Sequence, residues 1–181
     1  WRWDPARADA ELSVDDSRSR SGGRSIRLVN RSARAPHVYS SLTQSIQVKP
    51  ETAYTVSCYV RHPDDGAAWI GGGDGWRHRF QFPRRTPDWV RVTGTFTTGP
   101  DETTFVLRIL TESATDGLWV DDVQLEEGLN ASPFVYTAPL EPGESRLGVQ
   151  AVSLGPNVVP NPSFEIVDGV RPKGWMWDAR N

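Results

Sequence analysis

Cysteine and methionine each occur once, at Cys58 and Met176. A lone cysteine has no partner for an internal disulfide, and Val56 and Val60 beside it suit a buried, inert thiol. Lysine is almost missing: Lys49 and Lys173 are the only two among 20 basic residues. Arginine suits planar hydrogen bonding to hydroxyls and carboxylates, although a GC-rich genome gives the same bias. The formal net charge is -3 and the isoelectric point is near 5.6, which argues against a phosphate-binding surface. No apolar run approaches the ~20 residues of a membrane helix. No leader-like stretch opens the sequence and methionine stands only at 176, so a longer or processed product is expected. Enzyme signatures are missing too. The triple glycine at 71–73 is not followed by Gly-Lys-Ser/Thr, and there is no His-Glu-x-x-His, Gly-x-Ser-x-Gly or Cys-x-x-Cys. His37, His62 and His78 lack ligand spacing, while Glu102, Glu112 and Asp116 lie in turn-like text without the apolar setting of a general acid. No catalytic residue is therefore expected.

What is present is a repeat and a β pattern. Trp1-Arg2-Trp3-Asp4 recurs 174 residues later as Trp175-Met176-Trp177-Asp178, behind a lead-in at 157–165 that the first copy lacks. That spacing suggests slightly more than one period of a tandem array. Alternation and β-forming residues predict strands at 11–15, 25–30, 37–48, 53–61, 76–82, 89–98, 103–111 and 118–125. Turn chemistry lies between them, at Ser21-Gly22-Gly23, Asp64-Asp65-Gly66, Gly99-Pro100 and Asp116-Gly117 among others. Eight short strands at this spacing imply an all-β fold, an antiparallel β-sandwich or jelly roll. Residues 1–137 form its body, 138–156 a Pro/Gly/Glu-rich linker with room for a further strand at 147–154, and 157–181 the opening of the next repeat.

Parity assigns faces, because neighbouring residues of a strand point to opposite sides. Tyr54, Val56, Cys58 and Val60 form an apolar face opposite Thr55, Ser57, Tyr59 and Arg61. Phe105, Leu107 and Ile109 face inward and Arg108 outward; Trp76, His78, Phe80 and Phe82 oppose Arg77, Arg79 and Gln81. A polar face rich in arginine, tyrosine and glutamine results, with room for a ligand.

Several pieces recur in a fixed order: Asn161-Pro162-Ser163-Phe164-Glu165, Gly174-Trp175, the run from Ser21 to Ile26, and Tyr54 to Val60. Trp89-Val90, Gly94-Thr95-Phe96 and Gly117-Leu118-Trp119-Val120-Asp121-Asp122-Val123-Gln124-Leu125 follow. This order resembles carbohydrate-binding modules of families four, nine, sixteen and twenty-two, galactose-binding-like jelly rolls, over nearly all of 1–136. One departure is topological: the family's opening Asn-x-x-Phe-Glu strand should precede Trp1, yet here it stands at the far end. A sandwich without its first strand exposes an edge and part of its core. The segment could fill that gap in its own chain, fill it in a neighbour, or hang free.

The resemblance implies a structural calcium held by Asp121, Glu165 and main-chain carbonyls near Ser21 and Gly23; calcium takes six to eight hard oxygens from several segments. It also implies a polysaccharide or glycan as ligand. Aromatic rings stack on sugar faces and planar polar groups take the hydroxyls. Tyr59, Arg61, Arg77, Arg79, Gln81 and Arg108 share the polar parity, and Trp69 and Trp76 flank a loop at 70–75 whose glycines let the backbone approach a ligand closely; Tyr39 and His37 are weaker rim candidates. Trp89 is expected in the core. The resulting expectation is a non-catalytic carbohydrate-binding module of a larger extracellular or cell-surface protein, with neighbouring modules and self-association through 157–181 as further contacts. A structural repeat in a surface fibre or adhesin is the rival reading, and a vestigial groove packed on an enzyme domain a third. The glycan itself is not specified.

Overall fold

The computed structural model describes residues 1–135, 157–159 and 164–165, and the backbone of short strands at 167–168, 171–172 and 176–177. In chain order the strands are β1 (Arg2–Asp4), β2 (Ala10–Asp15), β3 (Ser25–Asn30), β4 (Ser40–Gln47), β5 (Ala53–His62), β6 (Ala68–Gly72), β7 (His78–Gln81), β8 (Thr86–Thr97), β9 (Thr104–Thr111), β10 (Thr115–Glu127), β11 (Val167–Asp168), β12 (Arg171–Pro172) and β13 (Met176–Trp177). A 3-10 turn at Asp74–Trp76 is the only helical element among the described residues. One sheet runs β13-β1-β4-β9-β6-β7, the other β2-β3-β10-β5-β8, and β11 pairs with β12 alone. Every pairing is antiparallel except β13 on β1, which is parallel and sets Met176 beside Arg2 and Trp177 beside Trp3. The molecule is the all-β sandwich that the alternation predicts.

The inner faces follow the parity. Leu42 and Ile46 of β4 and Phe105, Leu107 and Ile109 of β9 meet Ile26 and Leu28 of β3 and Val56, Cys58 and Val60 of β5 in one core. Cys58 is fully enclosed, and burial pushes its thiol far above its ordinary range.

Three local expectations are corrected. The stretch 70–75 is not a loop throughout: Gly71 and Gly72 belong to β6, wedged between β7 and β9. A Cβ on Gly71 would collide with the His78 carbonyl, and one on Gly72 with the Val106 carbonyl, so these glycines permit close strand approach. Asp116-Gly117 is not a turn between strands but the irregular start of β10. Trp89 does not enter the core; it is half-buried on the outer side of β8, whose inward residues are Val92 and Phe96.

Strand β10 contains the feature that organises one end of the sandwich. Its inward residues are Leu118 and Val120, then Val123 and Leu125, so the parity changes between them. The register against β5 shows how: Asp121 lies opposite Tyr59 and Gln124 opposite Ser57, leaving one extra residue on β10. This is a β-bulge, with Asp122 in the left-handed region (φ 53) that aspartate tolerates better than most side chains. Pairing with β3 stops at Val120 opposite Ile26. Beyond it the vacated edge is taken by residues 157–159. Asn157 Oδ1 accepts from Leu125 N (3.0 Å), Asn157 Nδ2 donates to Val123 O (3.1 Å), and Val158 N donates to Leu125 O (3.1 Å). Val159 and Phe164 enter the core, Phe164 at 0% exposure and 6.2 Å from the Trp1 ring. The proposed linker, 138–156, lies outside the described residues.

Replacing Phe164 by alanine should cost about 3–5 kcal/mol, the usual range for emptying a buried aromatic site. Urea unfolding of the full chain checks this; a loss below ~1 kcal/mol would mean the segment contributes little to the core.

Candidate functional site

The outer face of the six-stranded sheet is open and polar. Registers place Arg2, Thr43, Arg108, Gly71 and Arg79 in one row across β1, β4, β9, β6 and β7, with Asp4, Ser41, Leu110, Trp69 and Gln81 in the next. Above these rows stands Trp76. Its turn bonds Trp76 N to Gly73 O (3.1 Å), and its own backbone is left-handed (φ 57), a strained state for an aromatic residue. Trp76 meets Tyr39 edge to face with centroids 5.0 Å apart and lies 6.0 Å from Trp69. Arg79 holds the turn from below by donating Nε to Trp76 O (3.0 Å).

Two clefts share this aromatic pair. One, of about 550 Å³, includes Arg2, Asp4, Ser41, Thr43 and Arg108 in its lining; the other, of about 540 Å³, is bounded by Arg34, His37, Val38 and Glu112. Glu112 is the polar hub of the second cleft. Its Oε1 accepts from Trp69 Nε1 (3.1 Å) and Arg79 (3.3 Å), and Arg34 lies 3.6 Å from Oε2. Arg108 differs: its guanidinium is 5.3 Å from the Trp76 ring centre and donates to Val106 O (2.9 Å) on its own strand. Burial lowers its proton affinity below the ordinary guanidinium range.

The structure divides these candidates, and it brings Trp76 from its turn onto the same face as Arg79, which parity sets opposite it. Trp76, Arg79 and Arg108 meet at the clefts, with Gln81 exposed further along the same face. Trp69 lies beneath them at 0% exposure, as a support and not a stacking platform. Arg77 turns to the sheet end and pairs with Glu102 (2.6 Å). Tyr59 and Arg61 lie on the outer face of the other sheet, where Arg20 covers Tyr59 (4.4 Å) and Arg61 covers Trp119 (5.0 Å). Trp119 is closed in by Arg18 and Arg27 as well and donates Nε1 to Asp15 (2.6 Å). Parity names a face within one strand, but not which sheet owns it. Ser41, Thr43, Arg2 and Glu112 were missed, although Ser41, Thr43 and Ser45 alternate with Leu42 and Ile46 and so carried a usable signal.

A second constellation forms at the β10 bulge. Asp121 Oδ2 accepts from Arg20 N (2.7 Å) and Ser21 N (3.3 Å), and Asp122 Oδ1 from Ser21 Oγ (2.5 Å). Glu165 Oε1 accepts from Gly23 N and Arg24 N, each at 2.8 Å. Thus Asp121, Glu165, Ser21 and Gly23 do come together, but the loop turns amides toward the carboxylates in place of the expected carbonyls. Burial, and then the charge of Asp122, push the Asp121 carboxyl up to about 8; burial also raises Asp122. Asp122 Oδ2 is buried without a hydrogen-bond partner. Among the described residues no three His, Cys, Asp or Glu side chains make a metal site by themselves. The side-chain donors are nonetheless hard oxygens, with Asp122 Oδ2 unsatisfied, and that donor chemistry fits a calcium.

No curated protein matches the chain. Among solved structures it is similar to the CBM22-1 xylan-binding domain of Paenibacillus barcinonensis Xyn10C, at 17% identity and TM-score 0.50, over 71% of this chain and 87% of that one. It is similar to the CBM22-1–GH10 modules of Clostridium thermocellum xylanase Xyn10B, complexed with xylohexaose, at 17% identity and TM-score 0.50, over 72% of this chain but 26% of that one. The tailspike protein 4 enzymatically active domain of bacteriophage CBA120 matches at 11% identity and TM-score 0.48, over 70% of this chain and 19% of that one. The chain thus spans only a fraction of the two longer proteins, and these likenesses concern the fold alone. The sequence family described as Carbohydrate binding domain, covering modules of types four and nine, matches residues 2–116. With the sandwich in place and the match covering most of it, this chain belongs to that carbohydrate binding domain family.

Proposed function

We propose that this is a non-catalytic module that holds a polysaccharide on the outer face of the six-stranded sheet, within a larger extracellular protein. The observation that carries the reading is the Tyr39–Trp76 pair, half-buried between two clefts of sugar-chain dimensions and backed by hydroxyl and guanidinium donors. Family membership supports the ligand class. No described helix is long and apolar enough to cross a membrane. Residues 157–159 and 164–165 take the place of the missing opening segment of this module, docked in its own chain.

Calcium belongs to the same reading. Asp121, Asp122 and Glu165 would hold it, and the ion would tie β10, the loop 20–24 and the closing segment together without taking part in chemistry. In metal-free protein, the raised Asp121 carboxyl keeps its proton where the unfolded chain, with a pKa of about 3.9, has lost it. The folded state then binds more protons than the unfolded one, so stability is greatest below about pH 4 on this account and declines as pH rises toward about 8.

Two measurements test these proposals. In isothermal titration against soluble polysaccharides, Trp76→Ala should weaken binding about tenfold or more with the melting temperature unchanged; Trp89→Ala, on the other sheet, should bind normally. If both bind alike, the clefts are not the site. In chelator, thermal stability should fall between pH 5 and pH 8, and calcium should restore it more at pH 8 than at pH 5, because it binds the ionised carboxylates. Asp121→Asn should remove both effects. Equal melting with and without calcium at pH 8 would rule the ion out.

A further inference from the structure

The described cations around the clefts are not equivalent. Arg34 and Arg79 share the single carboxylate of Glu112, and Arg77 pairs with Glu102. Asp4, the other carboxylate in the lining, accepts from Ala6 N (2.8 Å) and ends on the turn that follows β1. Arg108 has no carboxylate within ion-pair distance among the described residues, and its hydrogen bond is to Val106 O two residues back. A guanidinium has five N–H donors, so most of its recognition capacity is unused.

Its place in the sheet explains the isolation. Arg108 sits on β9, an interior strand, between Thr43 on β4 and Gly71 on β6. One neighbour is short and the other has no side chain, and close strand packing forbids adding one at Gly71. The guanidinium therefore stands alone on the cleft floor, half-buried, oriented by Trp76 at 5.3 Å. A partly desolvated cation without a counter-charge is an unfavourable arrangement that an anionic ligand relieves. The planar fork also matches a carboxylate bidentately.

Resting on the polysaccharide reading above, we infer that the cleft selects an acidic glycan, whose anionic group pairs with Arg108 while a neighbouring sugar ring contacts Trp76 and Tyr39. A uronic acid carboxylate and a sulfate ester share this chemistry, and the fork geometry favours the carboxylate.

The test is affinity measured for three probes, neutral β-1,4-xylan, polygalacturonate and a sulfated galactan, at low and high sodium chloride. The expected result is about tenfold or greater preference for polygalacturonate over xylan at low salt, fading as salt screens the pair. Arg108→Gln should abolish that preference by lowering polygalacturonate affinity about tenfold more than xylan affinity, with the melting temperature unchanged. Arg108→Lys, which retains the charge but loses the fork, should keep part of it. Arg61→Gln on the opposite sheet should change nothing. Preference for the sulfated galactan, lost in Arg108→Gln, would uphold the anion site and assign the anion to sulfate. Xylan bound as well as either acidic probe would overturn this inference and leave the polysaccharide reading standing. An Arg108→Gln that weakens all probes equally would overturn it too, showing Arg108 to be a support for Trp76. Retention of none of the three probes, by a protein that melts cooperatively, would overturn the polysaccharide reading and the acidic selection with it.

Discussion

One extra residue in β10 governs the closed end of this sandwich. Without it, strict alternation would send Val123 and Leu125 to the outside once Leu118 and Val120 point inward, because a one-residue shift exchanges the two faces of a strand. The bulge at Asp122 absorbs the offset and keeps all four in the core. Its cost is local: β10 parts from β3, two carboxylates are buried side by side, and backbone groups at Val123 and Leu125 lose their ladder partner. The other features at this end answer those costs. Asn157 and Val158 satisfy the abandoned backbone, Arg20 and Ser21 donate to the carboxylates, and Phe164 fills the space beside Trp1. Core closure and the acidic constellation are thus two consequences of a single register change.

The two outer faces use the same residue types to different ends. Across the five-stranded sheet, Trp119 is closed in by Arg18, Arg27 and Arg61 and is only 6% exposed; Arg91 reaches Ser57, Gln124 and the Ser132 carbonyl, so the segment after β10 is drawn over the sheet. Aromatic surface and guanidinium donors satisfy one another there. Across the six-stranded sheet the glycines of β6 and the short side chains of β4 remove the cover. Trp76 is left half-exposed and Arg108 uncompensated, and that difference in occupancy, not in composition, leaves one face open.

Steric fit also explains why the glycine-rich stretch 70–75 is easily misread. Glycine clusters are common in loops because the backbone is free there, and that is how alternation rules treat them. Gly71 and Gly72 are needed for the opposite reason, since neighbouring carbonyls leave no room for a Cβ in a paired strand. Gly73 and Gly75, at φ 76 and 60, turn the chain and lift Trp76 over the sheet. Close packing thus adds a steric demand at Gly71 and Gly72 that the turn glycines lack, a distinction that needs the neighbouring strands to be known.

The sequence by itself determined the sandwich and the buried faces of β5 and β9, because period-two alternation is a local property: Val56, Cys58 and Val60 can only point together. The resemblance to carbohydrate-binding modules, not the residue types alone, marked Asp121 and the Phe164-Glu165 segment. Only the tertiary structure decided which polar faces share a sheet. Arg108 and Arg61 have the same outward parity and lie on opposite sides of the molecule, because sheet membership is set by long-range pairing that no local period encodes. It likewise decided that Trp69 is covered and Trp76 is not, and that amides rather than carbonyls of the loop 20–24 meet Glu165. Burial and counter-charge are properties of neighbours, and neighbours distant in sequence are chosen only when the two sheets close.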